Sequence, residues 1–163
     1  MIRDAAPDDA AAIAAIYNPY ILDTVITFEE HPVTEQVMAE RIRTINRGYP
    51  WLVFEQNGLC LGYAYASAWK DRSAYRFSCE TSIYLAAQAH GQGVGTRLYE
   101  ALLDDLRRRG QRTAIACIAL PNPASVALHE KLGFRKVGHF AAVGIKFSRS
   151  IDVGYWQHQL NPE

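Results

Sequence analysis

The chain has 163 residues, 49% of them apolar, enough for one domain with a real hydrophobic core. Its 17 basic and 17 acidic side chains cancel, which excludes nucleic-acid binding through bulk positive charge. No apolar run reaches the roughly 18 residues of a membrane span, and the start, MIRDAAPDDA, lacks a secretory leader's apolar core. Three cysteines, Cys60, Cys79 and Cys117, lie in apolar runs and form no C-x-x-C pair. They predict buried, reduced thiols in a cytoplasmic protein. The five histidines show no metal-ligand spacing, so no metal is expected.

MIRDA reads as a short strand. Pro7, Asp8 and Asp9 suit the first turn of a helix. That helix, AAAIAAIYN, should stop at Asn18, because a following proline disfavours helix at the residue before it. YILDTVITFEE then reads as a loop or irregular strand. A second helix, TEQVMAERIRTIN, opens at Thr34. Val37, Arg41 and Ile45 share one of its faces, with Met38 and Ile42 beside them, and Gly48 closes it. WLVFE and LCLGYAYAS flank Asn57-Gly58, a strong hairpin signal. AYRFSCETSIYL is a third strand. After the glycine stretch AHGQGVGTRL, the run TRLYEALLDDLRRRG places Leu98, Leu102 and Leu106 on one helix face, with Gly110 as its stop. TAIACIAL is a buried strand. NPASVALHEKLGF is a helix with Asn122 as cap and Pro123 at its first position. RKVGHFAAVGIKF and DVGYWQHQL are final strands. The order β-α-α-β-β-β-α-β-α-β-β predicts one α/β (α+β) domain over residues 1–163, with a mixed sheet and an antiparallel centre.

The glycine stretch fails two familiar tests. A P-loop needs Lys after the last glycine, where this chain has Thr96 and Arg97. A dinucleotide fingerprint needs glycine at 96 or 98, where Thr96 and Leu98 stand. What remains is a strand, a glycine-rich turn and a helix start. Their N–H groups can converge on an anion, and glycines let it approach the backbone.

HGQGVGTRLYEALL resembles the acetyl-CoA-binding motif of the GNAT N-acetyltransferases. His90 stands where that motif prefers Gln or Arg. NPASVALHEKLGFRKVG resembles the family's second motif. Longer stretches, among them SCETSIYL and GIKFSRSIDVGYWQ, are similar to the branch that acetylates phosphinothricin and methionine sulfoximine or sulfone. The similarity runs from about Arg3 to Leu160.

The resemblance implies the GNAT fold, a mostly antiparallel sheet flanked by helices, whose central strands splay to hold acetyl-CoA. It implies an acetyl-CoA-dependent N-acetyltransferase acting on the α-amine of a small amino-acid-like molecule, with acetyl-CoA as co-substrate. It also implies a homodimer with the active site near the subunit contact. Ile83, Tyr84 and Leu85 would line the pantetheine arm, and Gly91, Gln92, Gly93, Val94, Gly95 and Thr96 would hold the pyrophosphate. Asn122 would bond the coenzyme.

Glu80 is the expected base. Strand alternation puts it on one face with Ser82 and Tyr84, opposite Cys79, Thr81, Ile83 and Leu85. A lone strand glutamate more often faces water; the resemblance assigns it to catalysis, directly or through a water. His129 is the second catalytic candidate, as proton donor to the coenzyme sulfur or as part of the base relay. Its alternative is a packed helix histidine. For the acceptor, Phe28 and Glu29 are expected with Ser73, Ala74, Tyr75 and Arg76; Lys70 and Arg72 lie on the same segment. Arg76 is the preferred partner for a substrate carboxylate. Lys146, Asp152 and Trp156 are read as site walls or dimer contacts.

Overall fold

A computed structural model describes residues 1–162. Seven strands form one sheet in the order β1-β2-β3-β4-β5-β7-β6. They are β1 (Ile2–Asp4), β2 (Trp51–Gln56), β3 (Leu59–Ala68), β4 (Ser78–Leu85), β5 (Thr113–Leu120), β6 (Arg135–Lys146) and β7 (Arg149–Gln159). Among the described residues, only β4 and β5 pair in parallel. Helices α1 (Ala10–Asp23) and α2 (Glu35–Asn46) lie between β1 and β2, α3 (Val94–Arg108) joins β4 to β5, and α4 (Pro123–Lys131) joins β5 to β6. The element order and mixed sheet match the sequence reading.

The two sheet faces carry separate cores. On one, α3 presents Leu98, Leu102 and Leu106, all fully buried, to Ala64, Cys79, Ala114 and Ala116. Each such leucine contributes roughly 1.5–3 kcal/mol. On the other, Ile13, Tyr17 and Ile21 of α1 and Met38 and Ile42 of α2 cover Trp51, Val53 and Tyr63. The β2–β3 turn has Asn57 at φ 52° and Gly58 at φ 76°, the left-handed pair that an Asn-Gly hairpin uses.

Several boundaries differ from the sequence reading. Helix α1 runs through Pro19 to Asp23. Tertiary contacts override the proline: Ile21 is buried, Tyr20 Oη donates to Leu85 O (2.6 Å), and the Asn18 amide both accepts from Val33 N and donates to Val33 O. Strand β4 starts only at Ser78, because Ser73–Tyr75 coil into a single 3-10 turn. Helix α3 begins at Val94, two positions before the expected Thr96. The buried face of α2 centres on Met38 and Ile42, leaving Val37 exposed. Gly48 follows that helix without a left-handed φ. Cys117 is exposed, whereas all three thiols were expected inside. Trp156 is a core residue whose indole donates to Glu130.

Candidate active site

The parallel pairing of β4 and β5 lasts three rungs, Ser78↔Thr113, Cys79↔Ala114 and Glu80↔Ile115. Beyond Glu80 the strands part. Each stays paired on its other edge, β4 to β3 as far as Leu85 and β5 to β7 as far as Leu120. The sheet therefore forks, and Thr81–Leu85 faces Ala116–Leu120 across an open cleft. Alternate backbone N–H and C=O groups of both strands point into it with no strand partner. Side chains from above and below close it: Ile26, Tyr84, Asn122, Ser125 and His129. The wider part of the cleft is about 290 Å³ and reaches His90 and Gly91.

At that end the three glycines have separate jobs. Gly91 (φ 73°) and Gly93 (φ 74°) adopt left-handed backbone, and a Cβ on either would meet nothing within 4 Å. They are exposed turn positions that shape the approach to α3. Gly95 is packing: a Cβ there would sit 3.2 Å from Leu85 Cδ1. Gly93 is also the N-cap of α3 and brings no side chain to it. The first-turn N–H groups of Val94, Gly95 and Thr96 are thus left for an outside acceptor, at the positive end of the helix dipole. The side chains of Gln92 and Val94 turn elsewhere, Gln92 onto Gln88 O (2.5 Å) and Val94 into the core. Only their backbone faces this turn.

Glu80 occupies the last closed rung, at the base of the fork. Burial pushes its carboxyl above the usual carboxylate range, and the Lys70 ammonium pulls against that rise. Around it on the same sheet face stand Ser82, Tyr65, Cys117 and Tyr155. Tyr65 is the rung partner of Ser82, and Tyr155 that of Cys117. A desolvated carboxyl with a raised pKa beside one cation suits a base working near neutral pH.

His129, on α4, is buried at the roof of the cleft. Its Nδ1 lies 2.7 Å from Ser125 O, a group that only accepts, so Nδ1 carries the proton. Burial holds the imidazole below its ordinary pKa, hence neutral at physiological pH. The bare Nε2 then accepts from Tyr99 Oη at 3.0 Å. Asn122 also has two ends. Its Oδ1 caps α4 by accepting from Ser125 N (3.2 Å), and its amide NH2 is left to donate into the cleft.

Comparison with known proteins gives this geometry its family. The model of an acetyltransferase (GNAT) domain matches residues 2–154. The chain belongs to the GNAT acetyltransferase family.

Within that family, a phosphinothricin N-acetyltransferase of Streptomyces viridochromogenes is 38% identical over 159 residues, 98% of this chain and 87% of that protein. An L-methionine sulfoximine/L-methionine sulfone acetyltransferase of Salmonella typhimurium is 37% identical, covering 98% and 94%. The crystal structure of a GNAT superfamily phosphinothricin acetyltransferase from Sinorhizobium meliloti, in complex with acetyl-CoA, superposes with a TM-score of 0.94. It is 42% identical and covers 98% of this chain and 87% of its own.

In this GNAT chain the expected donor residues gather in one place. Ile83, Tyr84, Leu85, Gly91 and Asn122 line the cleft, with the helix start of α3 at its mouth. The acceptor candidates scatter more. Phe28 is part-exposed and packs on Gly144. Both carboxylate oxygens of Glu29 are held by Arg41 (2.9 and 2.5 Å), and Tyr17 bonds it as well. Ser73, Ala74, Tyr75 and Arg76 form an exposed turn before β4 and line neither cleft nor pocket. The Arg76 guanidinium stacks on Phe77 and donates to Ser73 O. Lys70, by contrast, edges a pocket of about 470 Å³ on the Glu80 face, walled by Trp69, Phe140 and Tyr155. Lys146 is buried and donates to Thr27 O (2.8 Å), which anchors the loop carrying Phe28.

Tyr20, Thr81, Tyr99, Ser125 and Cys117 were not foreseen as part of the site. Tyr20 falls beyond the helix end expected at Asn18, before Pro19. The others depend on where the fork opens, and no local pattern carries that.

Proposed function

We propose that this chain is an acetyl-CoA-dependent N-acetyltransferase that acetylates the α-amine of a small amino-acid-like acceptor. Phosphinothricin, L-methionine sulfoximine and L-methionine sulfone are the preferred acceptors. The observation that carries this reading is Glu80, a desolvated carboxyl set where the donor cleft begins. In the reaction, Glu80 takes a proton from the ammonium form of the acceptor, directly or through a water. The neutral amine attacks the thioester carbonyl, the C–S bond breaks, and the proton that the nitrogen loses as the amide forms goes to the departing thiolate, so coenzyme A leaves as the thiol. Backbone N–H groups in the fork stabilise the oxyanion. Ile83, Tyr84 and Leu85 line the pantetheine arm, and the turn from Gly91 to Thr96 binds the pyrophosphate through N–H groups.

The acceptor's anionic groups have Lys70 available at the edge of the pocket on the Glu80 side of the sheet, whereas Arg76 is held on Phe77 and Ser73 O. Trp69, Phe140 and Tyr155 supply the walls of that pocket, and neither Phe28 nor the turn Ser73–Tyr75 reaches it. Glu29 then serves chiefly to hold its own loop through Arg41. The protein works as a cytoplasmic homodimer. Supporting this are the exposed apolar side chains Val143, Ile145 and Phe147 at the β6–β7 end, and three cysteines without disulfides.

An acceptor panel read by thiol release tests the reading. Turnover should be fastest with phosphinothricin and methionine sulfone and slow with spermidine, an aminoglycoside or a peptide N-terminus. A preference for any of the latter three overturns the acceptor assignment. Asn122 offers a second test. Asn122→Asp keeps the Oδ1 cap but loses the NH2 donor, so the melting temperature should hold while the KM for acetyl-CoA rises about three- to tenfold. Equal KM values would mean that Asn122 is a cap and nothing more.

A further inference from the structure

One hydrogen-bonded chain crosses four elements behind the cleft, and its proton order can be deduced. Ser125 O only accepts, so it takes the Nδ1 proton of His129. His129 Nε2 accepts the phenolic proton of Tyr99, at 3.0 Å. With its own proton committed, Tyr99 Oη accepts from Thr81 Oγ1, at 2.5 Å. Thr81 therefore has no proton left for Ile115 O, which lies 3.4 Å away across the fork. All three side chains are buried, so none can exchange a lost partner for bulk water.

The position of this chain matters more than its strength. Thr81 is the first residue past the last β4–β5 rung, and Ile115 is that rung's β5 member. Tyr99 comes from the α3 core and His129 from α4, the helix that roofs the cleft. Among the described residues, the phenol of Tyr99 joins both ends. Its ring is fixed by edge contacts with His129 and Phe134 at 5.0 and 5.7 Å, so the hydroxyl has little freedom to move.

We propose that Tyr99 is a positioning residue of acetyl transfer: its hydroxyl fixes the tautomer of His129 and ties the roof helix to the point where the sheet forks. Resting on the acetyltransferase reading above, this makes His129 part of the frame that sets cleft width. Its only N–H is held by Ser125, so it has none free for the leaving thiolate. A protonated His129 would reverse the order. Nε2–H would donate to Tyr99, Tyr99 to Thr81, and Thr81 would turn to Ile115 O.

Tyr99→Phe tests this while keeping the ring. Nitrogen NMR of histidine-labelled protein, without substrates, should show His129 as the Nδ1–H tautomer in the wild type and a shifted Nε2 signal in the variant. The KM for acetyl-CoA should rise about tenfold, the factor for one buried hydrogen bond, with kcat changed less than threefold. Thr81→Val should raise that KM similarly but leave the Nε2 signal in place. Leu102→Ala is the control for lost stability alone and should leave KM unchanged at a temperature where it is folded. An Nε2–H tautomer in the wild type overturns the proposal. So does a Tyr99→Phe enzyme with wild-type KM, or one whose loss falls wholly on kcat. The NMR result does not depend on turnover, so it stands even if the acetyltransferase reading fails.

Discussion

Glu80→Gln lowers kcat/KM by at least about a hundredfold, the lower range of what a positioned general base supplies. The substitution keeps shape and hydrogen-bonding capacity but cannot take a proton. Folding should be unaffected or slightly improved, since a half-buried charge is removed. Acetyl-CoA binding should be unchanged, because Glu80 lies on the opposite sheet face from the α3 side of the cleft. The pH profile carries the sharper information. Burial raises the carboxyl pKa, so the ionised, active form is reached only above the ordinary carboxylate value of about 4.3. Wild-type kcat/KM should therefore rise with pH along a limb displaced upward from that value. In Glu80→Gln the limb disappears, and only the rise from deprotonation of the acceptor amine remains. Lys70 favours the ionised form, so Lys70→Met should move the limb to still higher pH. A Glu80→Gln enzyme that keeps both rate and limb would remove Glu80 from the mechanism.

The second large effect belongs to the donor turn. Gly93→Val places a β-branched side chain at φ 74° and at the N-cap of α3. The left-handed backbone costs an L-residue about 1–2 kcal/mol. A Cβ at this position meets no protein atom within 4 Å. The space it fills is the one proposed for the pyrophosphate. The KM for acetyl-CoA should rise about ten- to a hundredfold, while kcat at saturating donor stays near wild type. Gly58→Val is the matched control. It has nearly the same φ, 76°, and equally open surroundings, but sits in the β2–β3 turn. It should lose similar stability and keep its KM. If both variants raise KM alike, the effect is strain and not donor binding.

Sequence and structure agree wherever the signal is local. Asn57-Gly58 fixes a hairpin by its own backbone preference. Leu98, Leu102 and Leu106 fix the buried face of α3 by helical period, and Asn122-Pro123 fix the start of α4. The glycine turn before α3 was legible for the same reason, lying between a strand and an amphipathic helix. Nonlocal features were not. The end of α1 was misjudged because Tyr20 and Ile21 gain more from packing against Leu85 and the core than Pro19 costs the helix. The rung Glu80↔Ile115, which decides where the fork opens, joins segments 35 positions apart, and neither segment carries its pairing register. Nothing in the local pattern of α3 singles out Tyr99. Its role comes from the hydroxyl meeting Thr81 and His129, which lie 18 and 30 positions away in the chain. The residues expected to meet the acceptor were the least legible part, because Lys70 and the turn Ser73–Tyr75 lie outside regular strand or helix, and the structure leaves that turn exposed and outside the pocket beside Lys70.

The most direct test mixes the purified protein with acetyl-CoA and phosphinothricin or L-methionine sulfone, and follows free thiol and N-acetylated product together. One thiol should appear for each α-N-acetyl product, with no thiol release when the acceptor is omitted. Tight acetyl-CoA binding with no thiol release, whatever amine is supplied, would contradict the account and leave a coenzyme-binding protein without acetyl transfer.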